Sequence, residues 1–109
     1  MDKKNFSAVF HAGRAFHSPS FVIKYSPSKA SYARFGVSCG LRISKKATER
    51  NLLKRRIFEI IGVCAESMQS GDYVIIAKPA IQKQSFVSIR NELIQALQSI
   101  TKTRKHFSH

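Results

Sequence analysis

The chain has 109 residues, of which 43% are hydrophobic, and its 19 lysine and arginine residues against 6 aspartate and glutamate residues give a formal net charge of +13. This length holds at most one domain, and the apolar content excludes a disordered basic tail. No apolar run approaches the roughly 18 residues that cross a bilayer, and the N-terminal residues lack the hydrophobic region of a secretory signal, so we expect a cytoplasmic protein.

A short helix is the first predicted element. Phe6, Val9 and Phe10 recur at helical spacing within residues 5–11. Gly13 follows, and glycine suits the left-handed conformation that often ends a helix. We therefore predict a first helix that stops at this glycine.

Two strands are predicted next. Residues 21–25 place Phe21, Ile23 and Tyr25 on one face, and apolar side chains alternate with polar or small ones over residues 35–41. The second segment is nearly bare on one face, so another group could approach its backbone closely there. That face consists of Gly36, Ser38 and Gly40. A further short strand could form over residues 41–44.

The second half of the chain predicts a long helix, a buried strand and a last helix. Apolar residues follow the helical period over residues 47–67, while residues 73–77 are apolar on both faces, which is typical of an interior strand covered on both sides. Ser85 can cap a last helix whose apolar positions continue to Ile100. Residues 102–109 are basic, and we expect them to form a flexible tail.

These elements predict an α/β fold. The order is helix, strand, strand, an optional short strand, helix, strand and helix, which describes a small two-layer α/β sandwich. The periodicity defines one domain over residues 1–101 and no second one.

The positive charge is concentrated before and along the start of the long helix. At about 100° per residue, the helical members of this cluster fall within roughly 140° of arc, opposite the apolar stripe. Acidic partners are nearly absent at helical spacing, so the pattern favours nucleic-acid binding over a merely solvated charged face. The candidate contacts are Arg42, Lys45, Lys46, Arg50, Asn51, Lys54 and Arg55.

Other residue types give no sign of protein-based catalysis. The acidic residues are scattered singly, whereas a protein-held Mg²⁺ would need clustered carboxylates. His11 and His17 are expected at the surface. Cys39 and Cys64 have no second ligand at metal spacing, so we exclude structural zinc and expect free thiols. Phe6 and Phe10 could belong to the core or form a platform for nucleotides.

The segment from Glu49 to Arg56 resembles the Arg-Asn-x-x-Lys-Arg signature of the bacterial ribonuclease P protein family. Three further segments match the family in the same order. Residues 6–13 resemble its opening Phe-x-x-Val-Phe-x-x-Gly helix, residues 34–38 its second strand and residues 71–79 its penultimate element. Together the matches extend across nearly the whole chain and are far more specific than the signature alone.

The resemblance implies the noncatalytic protein subunit of a ribonucleoprotein endonuclease. In this family the RNA subunit removes the 5′ leader of precursor tRNA with Mg²⁺, which we expect to be held mainly by the RNA. Residues 1–101 would then form a single RNA-binding α/β domain, with a left-handed crossover where the general rule predicts a right-handed one.

The resemblance also implies two binding regions. It assigns the signature helix to the RNA subunit through Arg50, Asn51, Lys54 and Arg55. It assigns a cleft between the first helix and the sheet to the single-stranded leader, with Phe6, Phe10 and Lys24 lining it.

Three positions depart from the family pattern. Phe58 stands where the family commonly has arginine, on the basic face, and could stack on a nucleotide or pack on a loop. Lys24 stands at a cleft position that is often tyrosine, which suggests a phosphate contact instead of stacking. The family's Ser/Ala-Lys-Lys is replaced by residues 40–42, with Lys45 and Lys46 following.

Two other functions share the basic composition. A ribosomal or RNA-chaperone module has the same charge and a similar fold class. A protein that binds anionic membranes would need an apolar face beside the basic one. The family resemblance favours the ribonuclease P RNA subunit and precursor tRNA as partners, and we expect neither membrane nor DNA.

Overall fold

The computed structural model describes residues 2–28 and 31–107. Within those ranges it contains three α-helices and one four-stranded sheet. In chain order the elements are α1 (Lys3–Ala12), β1 (Arg14–His17), β2 (Phe21–Ser26), β3 (Ala33–Ser38), α2 (Ala47–Cys64), β4 (Gly71–Ala77) and α3 (Phe86–Phe107). Short 3₁₀ helices over residues 65–67 and 79–83 follow α2 and β4.

The sheet has the strand order β1-β2-β4-β3. The β1–β2 and β2–β4 pairs are antiparallel, whereas β3 and β4 are parallel and are joined through α2. Tyr73, Val74 and Ile75 in β4 are fully buried, since this strand has a neighbour on each side and helices on both faces. The prediction of an interior strand is confirmed.

The main core lies between one face of the sheet and the layer formed by α2 and α3. The predicted apolar stripes of both helices point into it, and Ile57 and Leu97 are completely buried there. On the opposite face α1 packs across β2 and β4, where Val9 and Val74 are buried. The predicted α/β sandwich is confirmed, while the left-handed crossover implied by the resemblance stays a prediction.

An ion pair joins two of the family-like segments. Arg34 in β3 is the register partner of Asp72 in β4, and its guanidinium donates to both carboxylate oxygens, at 2.7 and 2.8 Å. Asp72 is almost completely buried. This paired geometry assigns both residues to the architecture of the sheet.

Strand β1 was not predicted, and the predicted short strand over residues 41–44 is wrong. β1 pairs with β2 in a hairpin at the edge of the sheet and has mostly exposed side chains, so its sequence carries no clear apolar alternation. Residues 41–43 form a turn in which the Ile43 N–H donates to the Gly40 carbonyl at 3.0 Å. Ile43 is nevertheless buried, which explains the strand-like sequence.

Gly13 does not adopt the predicted left-handed conformation. Its φ is −68° and its ψ is 152°, an extended geometry. A Cβ atom at this position would lie only 2.5 Å from the carbonyl oxygen of Val9 and 3.1 Å from that of Tyr25. Glycine is therefore required because residue 13 lies very close to the last turn of α1 and to β2, and not because of its torsion angles.

The ends of α3 show one agreement and one difference. The Ser85 hydroxyl accepts the Ser88 N–H at 3.1 Å, so the predicted cap is confirmed. The helix continues to Phe107, past the predicted boundary at residue 101. The flexible tail over residues 102–109 stays a prediction, and its last two residues lie outside the described ranges.

No helix in the described part of the chain combines the length and hydropathy that a membrane span needs.

Candidate nucleic-acid interface

Helix α2 presents a basic face because its apolar residues are turned to the core. Ile57, Ile60 and Cys64 are buried, while the opposite side exposes Asn51, Lys54 and Arg55. We call Asn51, Lys54, Arg55 and the neighbouring Phe58 the exposed α2 face. The sequence correctly predicted that these polar side chains lie together; their contact with RNA stays a prediction.

Arg50 is half-buried, although we expected it to be exposed. Its guanidinium donates to the Ser44 carbonyl at 2.8 Å and so holds the preceding loop against the start of α2. The Ser44 hydroxyl also donates to Glu49 at 2.7 Å. This loop carries Arg42, Lys45 and Lys46, which are all exposed. Since a guanidinium has five donors, Arg50 can position the loop and still bind a phosphate.

Arg56 lies on a different side of α2. Its guanidinium carbon is 5.4 Å from the centroid of the Phe86 ring at the start of α3. This cation–π contact connects the two helices of the main core layer. Arg56 therefore does not replace the family arginine that is missing at Phe58.

A groove of about 300 Å³ lies beside α1, on the sheet face opposite the main core. Phe10 lines one side, and Ser38 at the end of β3 with Gly40 just after it supplies part of the bare face that the sequence indicated, whereas Gly36 is buried. Arg42 and Lys78 also line the groove, but the Lys78 ammonium donates to the Ser18 carbonyl at 2.7 Å, so Arg42 is the cation left without such a contact among these two. Lys78 was missed by the sequence reasoning; its position directly after the interior strand was the available signal.

The two phenylalanines of α1 are half-buried and do not belong to the main core. Their ring centroids are 6.1 Å apart and their planes differ by 20°, so the rings stack on the surface of the helix. Val9 takes the buried position between them. Of the predicted cleft residues only Phe10 lines the groove; Phe6 stacks on it and extends the aromatic surface along α1, an arrangement suited to contact with bases.

Lys24 has a partner within the protein. Its ammonium donates to the Phe10 carbonyl and lies 5.0 Å from the centroid of the Phe10 ring. That carbonyl is in the last turn of α1, where the helix dipole favours a positive charge. Lys24 thus holds α1 and the Phe10 ring against β2, while the expected phosphate contact stays a prediction.

We predict that Lys24→Met loosens the end of α1. Methionine keeps the apolar stem but removes the ammonium, so the local stability of α1 should fall by about 1 kcal/mol. Hydrogen exchange of the Gly13 amide, which donates to the Val9 carbonyl at 2.8 Å, should accelerate about fivefold. Exposed Lys83→Met is the control, and equal exchange in wild type and Lys24→Met would contradict this role.

Most of the acidic side chains are engaged in structural contacts. Asp2 accepts the Asn5 N–H at 2.8 Å, Asp72 pairs with Arg34, and Glu92 accepts the Ser18 hydroxyl and the Ser20 N–H, both at 2.7 Å. Among the side chains that the structure describes, in residues 2–28 and 31–100, no three His, Cys, Asp or Glu are grouped where they could hold a metal ion. The described side chains therefore do not fit a protein-held Mg²⁺.

Both cysteines are free thiols, Cys64 buried and Cys39 half-buried. Burial raises the pKa of each thiol, while the charge of Lys54 opposes this effect at Cys39. Protonated thiols are poor nucleophiles, so neither cysteine has the character of a reactive group.

The family model described as Ribonuclease P matches residues 1–101. The chain belongs to the ribonuclease P family. A ribonuclease P protein component from a Nitratiruptor species is 35% identical over 103 residues, covering 94% of this chain and 91% of the relative. Another from Streptococcus pyogenes serotype M5 is 28% identical over 105 residues, covering 96% and 87%. The resemblance seen in the sequence motifs is confirmed.

Solved structures in the ribonuclease P family have the same fold. The RNase P protein of Staphylococcus aureus matches with a TM-score of 0.83 at 23% identity, over 92% of each chain. The RNase P protein of Thermotoga maritima matches with a TM-score of 0.80 at 24% identity, over 89% of this chain and 92% of that one. The order of helices and strands described above is thus the family's fold.

Proposed function

We propose that this chain is the protein subunit of ribonuclease P, acting in the cytoplasm to assist removal of the 5′ leader from precursor tRNA. The exposed α2 face binds the RNA subunit, and the groove beside α1 receives the leader. The observation that carries this proposal is the position of the family signature, with Asn51, Lys54 and Arg55 exposed opposite a buried apolar stripe.

The α2 face and the loop before it are suited to folded RNA because they neutralise phosphates. Lys54 and Arg55 project from the helix, while Arg50 holds the loop that adds Arg42 and Lys46. Phosphate binding releases condensed counterions, so affinity falls as salt rises. For about five neutralised phosphates, the slope of log affinity against log salt should lie near −3.5 to −4.5.

The groove beside α1 has the chemistry expected for a single strand. The parts of the Phe6 and Phe10 rings that remain exposed offer aromatic surface for a base, and the exposed Arg42 offers charge for the phosphates. The bare β3 surface leaves room for a backbone to approach. Such a site tolerates many sequences, as a subunit that handles different leaders requires.

In the proposed function, the RNA subunit and not the protein catalyses cleavage of precursor tRNA. Since the described carboxylates are dispersed and mostly engaged, we assign the Mg²⁺ ions mainly to RNA oxygens. The protein contributes positive charge that reduces repulsion between phosphates. Less Mg²⁺ should then be needed to fold the RNA and bind the substrate.

Reconstitution tests this function. Adding the purified chain to the ribonuclease P RNA subunit should restore cleavage of precursor tRNA at low Mg²⁺, where the RNA alone is inactive. A ribosomal or RNA-chaperone module would bind RNA without restoring this cleavage. Cleavage by the protein after rigorous digestion of contaminating RNA, or affinity that does not change with salt, would contradict the proposal.

A further inference from the structure

We propose that Phe58 is a stacking platform for an unpaired base of the RNA subunit, and that Gly62 keeps the space above this platform open. The proposal rests on the proposed function and deepens it. It adds an aromatic contact to a helix face so far described by its charges.

The Phe58 ring is exposed within a cationic surface. Its side chain is 41% exposed and lies about 40° from Lys54 and about 60° from Arg55 around α2. It is not among the side chains that pack against the core. Within the described ranges, no aromatic ring stacks on it and no cation lies over it. The exposed part of the ring is therefore available to a ligand.

Gly62 lies one helical turn beyond Phe58 on the same side of α2. A glycine inside a helix costs about 1 kcal/mol relative to alanine, so its presence needs a reason. The fold supplies none, because Gly62 is exposed and an added Cβ would meet no atom within 4 Å. Its effect is to leave out a side chain that, at a length beyond Cβ, would extend towards Phe58, its neighbour four residues earlier.

The side chains around Phe58 are suited to binding a nucleotide. The ammonium of Lys54 and the guanidinium of Arg55 attract a polyanion, while the ring provides a flat apolar face. A base stacked on the ring with its phosphate against these cations would use both features. The base must be unpaired and unstacked, because a ring on a helix surface cannot enter a continuous helical stack.

Affinity for the RNA subunit tests the role of the ring. Phe58→Leu keeps an apolar side chain but removes the aromatic face, and it should weaken binding by about tenfold. Phe58→Tyr should bind like the wild type. Since no charge is removed, the salt slope should stay unchanged in both variants. Unaltered affinity of Phe58→Leu would overturn the proposal.

A substitution at Gly62 distinguishes a role of this site in RNA binding from a role in protein stability. Gly62→Leu should stabilise α2, because leucine favours helix and the position is open. The same variant should weaken RNA binding by about tenfold, since the side chain would cover the platform. A more stable protein with undiminished affinity would show that the space beside Phe58 has no ligand.

The chain contains no tryptophan, so Phe58→Trp introduces a single fluorescent reporter at the platform. Its emission should be quenched when the RNA subunit binds. Val63→Trp is the matched control, since Val63 is 66% exposed on the same helix but about 140° around it from Phe58. Equal quenching at both positions would overturn the stacking assignment.

These outcomes are distinct from failure of the proposed function. If Phe58 and Gly62 variants bind normally while loss of Lys54 and Arg55 weakens binding, the platform is wrong and the subunit role stands. If the unaltered chain does not bind the RNA subunit, the proposed function itself fails.

Discussion

Replacing Lys54 and Arg55 together by glutamine should weaken binding of the RNA subunit by about 25- to 60-fold at about 0.1 M salt. Each phosphate contact releases counterions. Between 1 M and 0.1 M salt, each contact therefore raises log affinity by roughly 0.7 to 0.9. Glutamine keeps most of the side-chain length and removes the charge. Both residues are exposed on α2, so the fold should be unaffected.

The measurement is a salt titration of affinity for the RNA subunit. The slope of log affinity against log salt should become less steep by about 1.4 to 1.8 in the double variant. Lys83→Gln with Arg90→Gln is the matched control, since it removes the same net charge from exposed positions outside the α2 face. An equal loss in both double variants would mean that overall charge, and not this face, governs binding.

Gly71→Ala should destabilise the folded domain by about 3–5 kcal/mol, combining backbone strain and a steric clash. Gly71 has a φ of +140°, which side-chain-bearing residues rarely adopt. An added Cβ would also lie 2.3 Å from Cε1 of Tyr25 and 2.8 Å from its hydroxyl oxygen. Tyr25 cannot move away easily, because its ring is buried and packs 5.0 Å from that of Tyr73.

Thermal unfolding should report this change as a drop of roughly 15–30 °C in Tm. Gly40→Ala is the control, since an added Cβ there meets nothing within 4 Å and should leave Tm nearly unchanged. In a Tyr25→Val background, which is itself destabilised by the lost packing, Gly71→Ala should cost less than in the wild type, because the clash is absent and only the unfavourable φ remains. Equal Tm values for Gly71→Ala and wild type would show that neither the positive φ nor the Tyr25 ring requires glycine at residue 71.

The sequence predicted the elements whose burial repeats with a regular period. Alternation located β2 and most of β3, continuous apolar character located β4, and helical stripes located all three helices. β1 was missed because an edge strand of four mostly exposed residues is held by its pairing with β2 and not by apolar alternation. Because this pairing uses backbone hydrogen bonds to β2, it requires no particular pattern of apolar residues in β1.

The candidate site was predictable where it depends on one helix and unpredictable where elements meet. Helical spacing alone placed Asn51, Lys54 and Arg55 on one exposed side. The contacts of Lys24 with Phe10 and of Arg50 with Ser44 depend on how separate segments pack, so the sequence suggested free cations at both positions. Lys78 reaches the groove only because β4 is central.

The central place of β4 also determines when the domain can form during translation. β2 and β3 have no hydrogen bonds to one another, since both pair with β4, which is made last of the four strands. A nascent chain that ends before residue 77 can make the β1–β2 hairpin but cannot join it to β3. The signature helix lies between β3 and β4, so its anchoring waits for the same event. The complete sheet can therefore hold α2 in place only after residue 77, about 70% of the way along the 109 residues, has left the ribosome.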